Sequence, residues 1–290
     1  MTGRIVVGID GSPQSAKALE WAVARATLGG DELELISAYT MTPVFDFYGY
    51  HTLAATQPID WFAEHATLVL EAAAERVREL APNVTCMLKP VLGHAALYLR
   101  EAAEGAVAVV VGRRGLGAAA SAVLGSVSNK LASQAKCPVV VVGEEELPTS
   151  GPVVVGVDGS EFGANALRFA LTEAALRTTS VRAVAAYEAM HPAFAMDQEM
   201  VDRIRAATEA DVDDSLSRVL EGVEESVDVD RVVAEGRPAE VIVSHADDAQ
   251  LIVVGTHGKG MVRRVLLGSV SRQVLNDADR PVAVVDLPET

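Results

Sequence analysis

The chain has 290 residues, half of them apolar, and its 40 acidic against 24 basic side chains leave a net charge of −16. That length suits one large or two ordinary domains with real cores, and an acidic excess in both halves (11 basic against 16 acidic residues through 148, 13 against 24 beyond) disfavours a nucleic-acid partner. No apolar run reaches the ~18 residues of a membrane span, MTGRIVVGID enters a strand with no signal peptide, and Cys86 and Cys137 read as separate reduced thiols, so a soluble, cytoplasmic protein is expected.

Arg4–Ile9 is a β-branched run ending at Asp10-Gly11-Ser12-Pro13, where Ser12 predicts an N-cap and Pro13 the first helical position. A helix follows to about Leu28, with Ala16, Leu19, Ala22, Val23 and Ala26 on one face, and Gly29-Gly30 stops it. Glu32–Thr40 alternates like a strand, and Met41–Pro58 is a long loop containing the aromatic run Phe45–His51. Ile59–Leu80 predicts a helix, Asn83–Val91 a strand, His94–Ala103 a helix, Val107–Gly112 a strand, Ser126–Ala135 a helix and Pro138–Val142 a fifth strand. Strands alternating with helices indicate an α/β fold with a parallel sheet.

Glu144–Pro152 reads as a linker, after which the pattern restarts. Val153–Ser160 repeats Ile5–Ser12 at an offset of 148, whereas Gly255, Leu267–Ser271 and Pro281-Val282 repeat Gly112, Leu124–Ser128 and Pro138-Val139 at an offset of 143. A repeat this long is a duplicated domain. The expectation is domains over 1–143 and 153–290, each a doubly wound five-stranded parallel sheet of order 3-2-1-4-5 with helices on both faces.

In each half an apolar strand runs into the same spacing of glycines: Gly112, Gly115 and Gly125-Ser126 in the first, Gly255, Gly258 and Gly268-Ser269 in the second. Such glycines let backbone approach a ligand and take dihedrals closed to other residues. The Gly-Ser pair opens a helix whose free amides and dipole favour an anion. Residues 105–143 and 249–276 hold no acid, yet carry Arg113, Arg114, Lys130 and Lys136, and Lys259, Arg263, Arg264 and Arg272. Phosphates are therefore expected there, the alternative being glycine turns with buried, uncharged flanks. In a 3-2-1-4-5 sheet, strands 1 and 4 are neighbours where chain direction diverges, and ligands bind outside their carboxyl ends. Asp10 and Gly112, and Asp158 and Gly255, converge on that crevice; each aspartate is either a ligand contact or a turn residue preparing the helix.

These features (Asp10 and Asp158 after the first strands, the doubled glycine loop, and closing Pro-Val-x-Val-Val strands) resemble the universal stress protein family in its tandem form, over nearly the whole chain. The resemblance implies ATP-binding members and two adenine-nucleotide sites. With carboxylates absent from both phosphate windows, any magnesium is expected to be held largely by the phosphates, with Asp10 or Asp158. The resemblance implies Asp10 and Asp158 at the nucleoside, the backbone near Ala38 and Ala186 at the adenine edge, and Gly112, Gly115, Gly125, Ser126 and Val127, with Gly255, Gly258, Gly268, Ser269 and Val270, around ribose and phosphates. Ser128 and Ser271 hydroxyls are further candidates, as is Arg113. His257 is either a phosphate contact or an exposed loop histidine. Lys259, Arg263 and Arg264 predict tighter triphosphate binding in the second half. The resemblance also implies pairing through the fifth strands, joining the two halves of one chain into a pseudo-dimer and allowing a homodimer; no protein partner is legible. The resemblance points to an ATP-binding stress regulator. Hydrolysis is expected to be weak at most, because no residue near the loops is an evident water-activating base and both phosphate windows lack carboxylates; the rival is a slow ATPase or nucleotidyl-transfer enzyme.

No Walker lysine motif, Gly-x-Ser-x-Gly elbow or spaced metal-ligand set occurs, and Gly115–Ala120 fits a dinucleotide pattern without a repeat in the second half. Trp21 and Trp61 fall on helical patterns as packing residues.

Overall fold

The computed structural model describes residues 3–40, 59–116, 124–189, 197–221, 227–258 and 266–286. The first half runs β1 (Arg4–Gly8), α1 (Pro13–Gly29), β2 (Glu32–Tyr39), α2 (Ile59–Leu80), β3 (Cys86–Leu92), α3 (Ala95–Ala102), β4 (Ala108–Gly112), α4 (Ser126–Gln134) and β5 (Val139–Val142). The second repeats it as β6 (Val153–Gly156), α5 (Glu161–Arg177), β7 (Val181–Tyr187), α6 (Gln198–Leu220), β8 (Val229–Glu235), α7 (Pro238–Ser244), β9 (Leu251–Gly255), α8 (Ser269–Asp277) and β10 (Val282–Val285).

Within each half the strands are parallel in the expected order, β3-β2-β1-β4-β5 and β8-β7-β6-β9-β10. The two sheets are continuous. β5 and β10 pair antiparallel, Val140 opposite Ala283, and join them into ten strands. Valine-rich strands suit this position because both faces are covered: Ile5 and Val7 belong to one core with residues of α1, α2, α5 and α6, and Val6 to a second core on the other face with residues of α3, α4, α7 and α8. No helix among the described residues is long and apolar enough to cross a membrane.

The helix ends follow local chemistry. Ser12 caps α1 by accepting the Ser15 amide at 3.1 Å, with Pro13 in the first turn, and left-handed Gly30 closes it. Ser160 caps α5 the same way, at 3.0 Å from Gly163, but that helix ends on Thr178 at φ 52°. The buried face of α1 differs from the periodic expectation: Ala16 is exposed, and Ala18, Trp21 and Arg25 are buried. Trp21 is a packing residue, whereas Trp61 is 48% exposed. The aromatic run Phe45–His51 lies outside the described residues.

Candidate functional site: twin crevices at the strand ends

Each crevice starts from an Asp-Gly-Ser turn. Gly11 and Gly159 take φ of 81° and 75°, a backbone that glycine adopts without strain. The turn lets Asp10 Oδ1 accept the Ser12 amide at 2.9 Å, and Asp158 Oδ1 accept that of Ser160 at 3.0 Å. Asp10 is thus a turn residue, and its second oxygen reaches further: Oδ2 accepts the Leu116 amide, at 2.9 Å, from the loop after β4. Burial alone would raise the Asp10 pKa, but hydrogen bonds from the Ser12 side chain and amide, the Leu116 amide and Ser15 outweigh it and hold the carboxyl below its ordinary range.

The two aspartates explain Gly115 and Gly258. A Cβ on Gly115 would lie 2.3 Å from Asp10 Oδ2, and one on Gly258 2.8 Å from Asp158 Oδ2. Gly112 and Gly255 give room in the same way to the first turns of α1 and α5, where an added Cβ would come within 2.9 Å of Gln14 and 3.0 Å of Phe162. Gly125 and Gly268 have ordinary extended backbone, φ −62° and −59°. Here the sequence expectation of restricted dihedrals is corrected: among the described residues, the loop glycines Gly112, Gly115, Gly125, Gly255, Gly258 and Gly268 serve close approach instead. With glycine at the cap, α4 and α8 have no side-chain cap, and their amide bonding to the helix starts at Asn129 to Gly125 O and Arg272 to Gly268 O. The amides of residues 126–128 and 269–271 come before that, at the positive end of the helix dipole.

The first cavity measures about 410 Å³ and is lined by Asp10, Ala38, Gly112, Gly115, Gly125, Ser126, Val127 and Ser128 among others. The second, about 340 Å³, is lined by Asp158, Ala186, Gly255, His257, Gly258, Gly268, Ser269, Val270 and Ser271 among others. The Ser128 hydroxyl donates to Arg113 O at 2.9 Å and that of Ser271 to Gly255 O at 2.6 Å, so both are engaged by main chain. The apolar floor was not foreseen. Ile36 and Leu99 form it in the first half, Val184 and Ile242 in the second. Ile36 could have been found from strand alternation, since it shares a face with Ala38; Leu99 carries no such signal.

Arg113 is not in its crevice. Its guanidinium donates to the Ala278 carbonyl in the other half, and burial pulls its pKa down although Asp279 opposes this. The neighbouring Arg114 lines the cavity instead. Its amide donates to Gln14 Oε1, and its guanidinium lies 3.9 Å from Glu144, which also accepts from Gln14 Nε2 at 2.6 Å. A linker carboxylate therefore stands beside an arginine that lines a crevice whose own sequence window holds none. In the second half His257 takes the place of Arg114. It is 7% exposed, which overturns an exposed loop histidine. Its ring lies 5.2 Å from that of Phe162, Nδ1 is 3.1 Å from Thr256 Oγ1, and Nε2 is buried without a hydrogen-bond partner among the described residues. Lys259, Arg263 and Arg264 lie outside the described residues.

The sequence pattern of the universal stress protein family matches residues 1–143 and again 150–286. The chain belongs to that family. Among its relatives, the universal stress protein Rv1996 of Mycobacterium tuberculosis is 34% identical over 308 residues, covering 98% of this chain and 95% of that protein. The crystal structure of a universal stress protein from Archaeoglobus fulgidus DSM 4304 shares the fold across 98% of both chains, at a TM-score of 0.69 and 22% identity. A universal stress protein solved in complex with cAMP matches 49% of this chain and 98% of its own, at 25% identity and a TM-score of 0.38; the cyclic nucleotide is that protein's ligand.

Proposed function

We propose that this universal stress protein binds one adenine nucleotide in each half, and that site occupancy acts as a regulatory signal. The observation that carries this reading is the recurrence in both halves of one arrangement: an uncapped glycine-led helix start beside a loop glycine held against an aspartate, over an apolar floor. The floor suits a flat base, the aspartates suit ribose hydroxyls, and the helix starts suit phosphates. The residues at hand fit such a ligand in shape and charge. Magnesium would be held mainly by the phosphates, with Asp10 or Asp158.

Regulation is favoured over turnover because, among the described residues, Asp10 and Asp158 are the carboxylates lining the cavities, and both already accept hydrogen bonds from their own turns. An enzyme would instead show turnover that survives repurification and falls in Asp10→Ala or Asp158→Ala. The same reading takes 1–143 and 153–290 as nucleotide-binding domains joined by 144–152 into an intrachain pseudo-dimer.

The test is the nucleotide content of freshly purified protein, released by denaturation and separated by ion-exchange chromatography. ATP approaching one equivalent per site supports the proposal. No nucleotide, and none taken up from Mg-ATP, would sink it.

A further inference from the structure

α1 and α5 meet at the seam where β5 pairs with β10. Arg25 and Glu173 occupy the same position in their respective halves, separated by the repeat offset of 148. They face each other across the seam. Arg25 Nε donates to Glu173 Oε1 at 2.6 Å, and the side chains are 6% and 1% exposed. Asp31 Oδ2 accepts from Arg25 Nη1 at 2.8 Å, and Glu173 Oε2 from Arg177 Nη1 at 2.6 Å. Arg177 also lies over the ring of Trp21 in the other half, 5.4 Å from its centroid.

The strands at this seam carry little information about partner. Val139, Val140 and Val141 oppose Val284, Ala283 and Val282, so β5 could pair with a second β5 as well as with β10. The helices differ. About a two-fold axis a residue meets its own copy. Two first halves would set Arg25 against Arg25 and leave Trp21 facing Gly29, the counterpart of Arg177. Two second halves would set Glu173 against Glu173. Each charge would keep its own counter-ion, Asp31 or Arg177, but the bond across the seam would be lost and like charges would stand together away from water.

We propose that the buried Arg25–Glu173 pair is the contact by which a first half selects a second half over another copy of itself. The seam then admits mixed pairing only, within one chain or between halves of two chains. A pair of this kind contributes selectivity more than stability, since apolar replacement of a buried ion pair is often neutral.

The test uses the full chain with a protease site inserted between the exposed Thr149 and Ser150, cleaved after folding. Isotope-labelled and unlabelled cleaved samples are mixed, urea is raised until label scrambles between mixed pairs, and native mass spectrometry counts the pairs. Mixed pairs are expected to exceed like pairs by at least about tenfold, and Arg25→Met/Glu173→Met to fall toward the roughly one-to-two-to-one proportion of random pairing. A random distribution in the unsubstituted protein overturns the proposal whatever the variant does. A double variant that stays as selective as the parent overturns it too.

Discussion

Asp10 and Leu116 are joined by a hydrogen bond from the Leu116 amide to Asp10 Oδ2 at 2.9 Å, so a residue after the first strand holds the loop after the fourth. Asp10→Asn keeps the size of the side chain but replaces the charged acceptor. It is expected to weaken loop anchoring by about 1–2 kcal/mol, since charge-assisted bonds are worth more than neutral ones. The carboxyl pKa is lowered in the folded protein, so its stabilising contribution is fully present above the ordinary aspartate value of 3.8 and is lost as pH falls through the lower folded value. Amide exchange at Leu116 should separate the two proteins at neutral pH, with the gap closing only below that ordinary value.

Gly115→Ala and Gly258→Ala each drive a methyl group into a carboxylate oxygen, the first at 2.3 Å and the second at 2.8 Å. Each is expected to cost about 1–3 kcal/mol locally and to empty its own crevice of nucleotide, the first more completely. Counting bound nucleotide per chain in the two single variants checks this; equal retention in both would refute it.

Glu144→Gln removes the linker carboxylate from beside Arg114 and Gln14. Anion affinity in the first crevice is expected to rise about two- to tenfold, with the gain shrinking as salt increases. Titration with a nucleotide at two ionic strengths reads it out. A gain confined to the second crevice would contradict the geometry.

Thr178 ends α5 in the left-handed region at φ 52°, where the first half has Gly30. Thr178→Gly is expected to raise stability by about 0.5–1 kcal/mol, the relief of a β-branched residue from that backbone. Chemical denaturation measures it, and a destabilised variant would show that Thr178 contributes something the backbone angle does not reveal.

The strand-loop-helix pattern was legible because it recurs at one spacing in both halves, although the groups its glycines make room for, such as Asp10 for Gly115, lie about a hundred residues away. Ser12, Pro13 and Gly30 were legible for a simpler reason, as end signals act within a few residues of chain. Arg25 was not, because its partner is Glu173, 148 positions away, and a charged residue on a helix reads as solvated until that partner is in place. Arg113 and Arg114 could not be told apart in sequence: neighbours in a loop turn to opposite sides, one to Ala278 and the other to the cavity. Glu144 was misleading for a related reason, since a window free of acids in sequence says nothing about a carboxylate arriving through space.

The antiparallel meeting of β5 and β10 turns one half end for end relative to the other. Strands that point one way in the first half point the other way in the second, and the two mouths open from opposite rims of the ten-stranded sheet. A flat surface laid on one rim would meet one crevice and miss the other. The duplication thus yields a pair of openings that no single approach can cover at once.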